Sequence, residues 1–484
     1  MEMKQKSLKL NVIMNSILTM SSFIFPLITF PYVSRVLSSV GTGKVAFATS
    51  FISYFSMIAQ LGIPTYGIRV CAQVRDDKIK LSKTVHELLF VNMITTILSY
   101  IGLVFALIFI PRLQADKPLY IVISITILLN SIGMEWLYKA LEQYTYITIR
   151  SILFKFIGLI AMFILVHEQK DYIFYGFITI FATSASNVLN FVNAHKYIEP
   201  RYIGGYEIRK HLKPIGVFFA MSIAATIYTN IDSVMLGFMT SDADVGYYNA
   251  AVRIKTIMVS IVTSLGAVLL PRAAYYIEHG LIDEFYRITS KALNFVFLLA
   301  SPMMIYFMIF AKEGIFFLSG DSYAGSIVPM QVIMPTILLI GITNISGIQM
   351  LIPLGKEKVV LYSEVAGAAV DVIINALLIP SMASVGAAIG TLIAELVVLI
   401  VQFVYLKGKI FTALKNVHYI RIVIAIITSV IAVIWIKTFE FGNFVTLCIS
   451  ASLYFGVYGM ILLLSKEPLV VEIFNQIIGK IRKG

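Results

Sequence analysis

The chain has 484 residues, 59% of them hydrophobic and 13% charged, with a formal net charge of +12. A soluble domain carries about a quarter charged residues, so this chain has too few to cover a surface facing water. Its repeated apolar runs of more than 18 residues suit membrane-spanning helices rather than the short alternating strands of a barrel, and the expected class is an all-α polytopic membrane protein.

The N-terminal MEMKQKSLKL is basic, but no short apolar core with a cleavage site follows it, so a retained first helix is expected. Hydropathy and breakers give 14 spans, near 10–37, 43–69, 84–110, 118–138, 146–167, 171–197, 213–239, 245–270, 288–311, 326–352, 358–380, 384–406, 418–437 and 442–465. Pro26 and Pro31 are expected to kink the first span and Pro335 the tenth. The loops between spans are short, the longest on its side being AKEGIFFLSGDSYAGS, so function must reside among the helices.

Alternate loops differ in basic residues. One set, with both termini, holds 29 Lys and Arg, including Arg69, Lys139, Arg150, Lys155, Lys480 and Arg482; the other holds 7, among them Arg35 and Lys44. This bias places both termini in the cytoplasm and makes the net charge a topology signal rather than a mark of nucleic-acid binding.

An internal repeat underlies the spans. LSSVGTGKVAFATS with AQLGIPTYGIR is echoed by LGFMTSDADVGYYNAAVR with TSLGAVLLPR; Gly43 and Gly246, Ala48 and Ala251, and Arg69 and Arg272 keep the same spacing. Gly158 and Gly367 give a weaker echo. The implied unit is six helices used twice in parallel orientation: 1–205, then 206–410, with 411–484 holding spans 13 and 14 and a basic tail.

Ionisable residues inside spans are the sharpest functional signal, because a charge in hydrocarbon needs a partner, a cavity or a job. Asp232, in IYTNIDSVMLG, lies about 10 Å inside the seventh span, and Arg253 and Lys255 lie about 13–16 Å into the eighth. They form a structural ion pair, or they leave at least one cation facing a wet cavity and open to an anion. Glu364, Asp371, Asn375 and Glu395 lie in spans 11 and 12. Their surplus of carboxylates suits a proton or sodium site, or else hydrogen bonding between helices. Arg35 and Lys44 flank the first outer turn as interface anchors or ligand contacts. Glu135, Trp136, Lys139 and Glu142 near the inner end of span 4 read as anchors or a gate. There is no HExxH, no Walker loop and no roomy loop with paired carboxylates, so neither an enzyme nor a direct user of ATP is expected.

In this order, YVSRVLSSVGTGKVAFATS, LGIPTYGIR, EWLYKALEQYTYITIRS, YTNIDSVMLG, VGYYNAAVRIK, LPR and VGAAIGTLIAE resemble the Wzx-type polysaccharide-transporter flippases of the multidrug/oligosaccharidyl-lipid/polysaccharide exporter superfamily. The resemblance runs from about residue 10 to residue 405. It implies two six-helix bundles plus two accessory helices, and an undecaprenyl-pyrophosphate-linked oligosaccharide moved to the outer leaflet for capsule, exopolysaccharide or O-antigen assembly. It further implies cation-coupled alternating access with H+ or Na+ and no other cofactor, a monomer in membrane lipid, and a polysaccharide polymerase and chain-length proteins as partners. Arg35, Arg69, Asp232, Arg253 and Lys255 fall in the matched motifs, the cations as pyrophosphate ligands. A multidrug exporter of the same fold, a flippase for a peptidoglycan or teichoic acid precursor, and a membrane polymerase or ligase are the alternatives.

Overall fold

The computed structural model describes residues 8–439 and 441–481. Lys4, Lys6, Arg482 and Lys483 of the basic termini lie outside the described residues, and the side chain of Lys480 is likewise not described. The described residues are helical throughout and contain no strand. Ten helices are long and apolar enough to cross a membrane, or twelve when two bent pairs each count as one.

The first unit covers Met1–Gly246. Its longest helical run, α1 (Leu8–Gln60), passes through Pro26 and Pro31 with helical dihedrals and breaks at Ser38, whose φ of 57° is left-handed. A short α2 (Ile63–Val74) follows. The break reverses the chain: Asn11, before it, and Arg75, just past α2, both donate to the Glu142 carboxylate, at 3.4 and 2.7 Å. A serine in this region costs roughly 1–3 kcal/mol, a strain that packing of the two legs must offset.

Four further helices frame those legs: α3 (Lys78–Phe109), α4 (Lys117–Ile132), α5 (Tyr144–Leu165) and α6 (Tyr172–Ile180). The first leg of α1 runs parallel to α5, with Thr148 bonded to Met14 O, Lys155 to Ser21 and Ser22, and Tyr32 to Val166 O. The second leg runs antiparallel to α3, with Ser99 bonded to Phe55 O and Thr95 to Ala59 O. Beyond α6 the helix widens to a π-turn over Phe181–Ala185. The unit closes with α7 (Arg209–Met239). Asn11, Arg75 and Glu142 mark its near end, and Lys44, which pairs with Asp116 at 2.9 Å, marks its far end.

The structure corrects one reading of the loops. Arg150 and Lys155 are not loop cations; they are the seventh and twelfth residues of α5.

The second unit covers Tyr247–Gly484. It takes in most of α8 (Asp242–Glu278) and all of α9 (Ile282–Ile309). Its next crossing bends by 44° between Asp321–Ile333 and α10 (Thr336–Asn344), at the Met334–Pro335 break, as the proline predicts. A second π-segment, Ile345–Leu351, continues α10.

The 50-residue α11 (Glu357–Leu406) is a hairpin, broken at Ala383 with a φ of 45°. Its legs approach so closely that a Cβ on Gly386 would lie 2.7 Å from the Leu378 backbone, and one on Gly367 2.6 Å from Val398. Without a hydrophobic force between helices in lipid, such small-residue contacts supply the packing.

Last come α12 (Tyr419–Val433), α13 (Asn443–Leu464) and α14 (Pro468–Ile481). They are fastened to α9 rather than merely appended. Tyr458 donates to Leu298 O at 2.9 Å, and the fully buried Glu467 accepts from Asn294, His418 and Arg421 at 2.8, 2.9 and 3.3 Å.

Candidate functional site

Two helices of the first unit carry polar side chains on open faces. On the first leg of α1, Asn15, Thr19 and Ser22 recur at helical spacing and are all exposed. Ile13, Ile17, Met20 and Ile24 recur on the opposite face and are also exposed. A leg with one open face polar and the opposite face apolar is suited to border water on one side and hydrocarbon on the other. The hydroxyls of Thr19 and Ser22 bond back to Asn15 O and Leu18 O, so they add polarity without an unmet donor. On α7, Ser222, Thr226 and Thr229 repeat the pattern, half-buried to exposed, and lead to the buried Ser233 beside Asp232.

Arg35 is exposed on α1 and donates to Pro31 O at 2.6 Å. Arg69 is exposed on α2. Asp232 is buried in the first unit, while Arg253 and Lys255 belong to the second and are half-exposed on either side of the buried Ile254.

In the α11 hairpin, Asp371, Asn375 and Glu395 are buried, and Glu364 is exposed. Asn375 Nδ2 donates to Asp371 Oδ1 at 3.3 Å. Gly390 on the opposite leg makes room for them: a Cβ there would sit 2.2 Å from Asn375 Oδ1 and 2.9 Å from Asp371 Oδ1. A turn or two away, Gln402 accepts from Ser346 and donates to Ser363 at 3.2 Å, extending a polar seam toward the π-segment. Among the described residues no group of three His, Cys, Asp or Glu is placed to hold a metal ion through those side chains alone.

At the far end of the first unit the repeat reappears as a contact. A Cβ on Gly43 would lie 1.7 Å from the Asp242 carbonyl oxygen, and one on Gly246 would lie 2.1 Å from the Ser39 carbonyl oxygen. Each glycine therefore meets the backbone four residues before the other. The two matched segments pack reciprocally, and only glycine allows that approach. Charge holds the contact: Arg112 pairs with Asp242, donates to Gly237 O at 2.8 Å and lies over the Phe47 ring. Beside it, Asp116 accepts from Lys44 at 2.9 Å and Tyr172 at 2.7 Å.

At the near end a buried cluster gave no sequence signal. Glu87 on α3 is 1% exposed and accepts from His211 Nε2 at 2.7 Å and from the Glu207 backbone N–H at 2.6 Å, with the Lys210 ammonium at 3.3 Å. His211 Nδ1 in turn meets the Tyr66 hydroxyl at 2.7 Å. The segment leading into α7 is thus clamped to α3 and α2. At the first residue of α3, the Lys78 ammonium bonded to Glu199, which lies outside the helices, holds that carboxyl below its ordinary range. Glu135 pairs with Lys139 at 2.8 Å, and Trp136 is buried against Gly67. These residues therefore serve as packing elements at this end. His211 and Glu87 are 124 positions apart, and no local pattern announces such a pair.

Comparison with known proteins gives a consistent result. A family described as "Polysaccharide biosynthesis protein" matches residues 8–276. Two proteins named "Putative O-antigen transporter", from Escherichia coli (strain K12) and Shigella dysenteriae, are 23% and 25% identical over 84% and 82% of this chain and 99% and 98% of their own lengths. The solved structure of "Lipid II flippase MurJ, inward closed conformation" matches with a TM-score of 0.74 at 15% identity, covering 95% of this chain and 100% of its own, and so shares the fold. With more than half of its residues matched, this chain belongs to the family of polysaccharide biosynthesis proteins.

Proposed function

We propose that the protein is a flippase that carries an undecaprenyl-pyrophosphate-linked oligosaccharide from the cytoplasmic to the outer leaflet of a bacterial inner membrane, supplying capsule, exopolysaccharide or O-antigen assembly. The observation that carries this reading is the wall of α1, polar on one open face and apolar on the other. A sugar headgroup bearing a diphosphate cannot cross hydrocarbon unaided, whereas a helix wetted on one side lets the headgroup pass while the lipid chain stays in the bilayer. The names of the full-length relatives support the same class of cargo.

Each leg of the hairpins at Ser38 and Ala383 is one crossing, which makes fourteen and leaves both termini on the cytoplasmic side. The near end of the first unit then faces the cytoplasm, and the glycine contact closes its far end.

Arg35, Arg69, Arg253 and Lys255 supply cations for the diphosphate. Lysine and arginine beside low-dielectric helix walls attract phosphate more strongly than in bulk water. Asp232 in the first unit and, in the second, the buried Asp371, Asn375 and Glu395 with the exposed Glu364 are the residues assigned to take up a proton or sodium ion that resets the carrier. Buried carboxylates bind such ions with little competition from water.

Replacing both Arg253 and Lys255 by alanine is expected to lower glycan export at least ~10-fold at matched expression, the loss of about one charged hydrogen bond or more. Export at the wild-type level in that double variant overturns the assignment of the two cations.

A further inference from the structure

Lys155 is a cation that neither the topology nor the matched motifs account for. It lies eleven residues beyond Tyr144, roughly 16 Å along α5 at 1.5 Å per residue, about halfway through a hydrocarbon core of about 30 Å. A lysine at that depth is expensive unless it faces water or an anion. It cannot be explained as an interface anchor, because its ammonium points sideways to α1. There Nζ donates to Ser21 Oγ at 2.8 Å and to Ser22 Oγ at 2.9 Å.

Both acceptors are neutral hydroxyls; the Glu135 carboxylate attracts the ammonium only from beyond contact distance, and among the described residues no ion pair includes Lys155. An ammonium has three N–H donors, so two are used to aim it and its charge is not neutralised by either. Ser22 is the last exposed residue of the polar face of α1, so the charge sits beside the wetted wall rather than in a dry core.

We infer that Lys155, aimed by Ser21 and Ser22, is a binding site for a diphosphate group midway along the cleft wall. The inference rests on the flippase reading and adds a contact within the first unit that the substrate meets after leaving the near end. The serines act as positioning residues. They hold the ammonium against the wall in the absence of cargo and let it turn to a phosphate oxygen when one arrives, since phosphate adds a full opposite charge that a hydroxyl lacks.

The test is native mass spectrometry of the purified full chain titrated with undecaprenyl diphosphate, undecaprenol, phosphatidylglycerol and inorganic pyrophosphate, for wild type, Lys155→Met, Lys155→Arg and the Ser21→Ala/Ser22→Ala double variant. The wild type is expected to prefer undecaprenyl diphosphate to undecaprenol. Lys155→Met should bind the diphosphate lipid about tenfold or more weakly with undecaprenol unchanged, and Lys155→Arg should retain most of the preference. The double serine variant, which keeps the charge, should lose a few-fold.

If Lys155→Met or the serine variant fails to fold, Lys155→Arg against wild type in competition with inorganic pyrophosphate decides. Displacement of the lipid from both supports a diphosphate site, and displacement from neither overturns it. Equal diphosphate preference in wild type and Lys155→Met removes Lys155 from the site and leaves the flippase reading standing. A wild type that does not distinguish the diphosphate from the alcohol defeats both. Equal competition by phosphatidylglycerol makes this a site for ordinary anionic lipid and overturns the assignment to cargo.

Discussion

Gly43→Val is expected to abolish most transport while leaving the helices formed. The glycine stands at the far end of the first unit, just past the Ser38 break, where even a methyl group would overlap the Asp242 carbonyl, 1.7 Å away, with its carbonyl carbon at 2.8 Å and Gly246 N at 2.9 Å. Backbone atoms cannot rotate aside as a side-chain tip does, so the two segments must separate.

Overpacking of this kind costs about 1–3 kcal/mol. Applied to one of two conformational states, that is a shift of about 5–150-fold in their populations, directed against the closed far end. Glycan export and labelling of a cysteine placed at Ser39, in a background without Cys71 and Cys448, measure the two consequences. Export should fall and labelling should rise in step. Export at the wild-type level together with unchanged labelling would show that the close approach is dispensable. Gly246→Val, the repeat-related change, should reproduce the effect through Ser39 O at 2.1 Å.

Glu87→Ala should be the most damaging single change to the stability of the first unit. The carboxylate is buried with His211 and takes bonds from His211, the Glu207 N–H and Lys210. Removing it strands a buried imidazole and a backbone donor at once. Each buried donor or acceptor left without its partner costs about 1–3 kcal/mol, and Glu87→Ala strands at least two. Glu87→Gln keeps an acceptor for the Glu207 N–H and should cost less than half as much.

Thermal unfolding in detergent ranks the variants, with wild type above Glu87→Gln above Glu87→Ala. A second readout is protease cleavage in the segment 199–208, which the cluster ties down and which Glu87→Ala should expose. If Glu87→Ala melts with the wild type and resists cleavage equally, the clamp has no energetic role.

The sequence made some of this legible and hid the rest for physical reasons. Spans are visible because hydrocarbon demands about 20 apolar residues in a row, and the bend near Pro335 because proline lacks an N–H. The matched Gly43 and Gly246 were visible as a repeat, but their touching was not, since spacing carries no information on which segments meet.

The turn at Ser38 falls where the spans expected at 10–37 and 43–69 leave a gap, but the left-handed residue itself was not legible, since Gly41 and Gly43 rather than Ser38 carry the local turn signal. Lys155 was grouped with the loop cations although it lies well inside a span, because a count of basic residues ignores where a side chain points. Glu87, His211 and Glu467 are buried by partners far away along the chain, which leave no periodicity to read. Within the hairpin, Asp371 and Asn375 share a face as their spacing requires, and the space for them comes from Gly390 across the turn.

The meeting of Ser39–Gly43 with Asp242–Gly246 has the character of a handshake between equals. In an isologous junction each segment is both lock and key, so one rotation disengages both halves of the grip simultaneously. A seal built this way has no half-fastened form. On the orientation proposed above, such a contact would release as a unit, and the exit would snap between shut and ajar rather than widen by degrees.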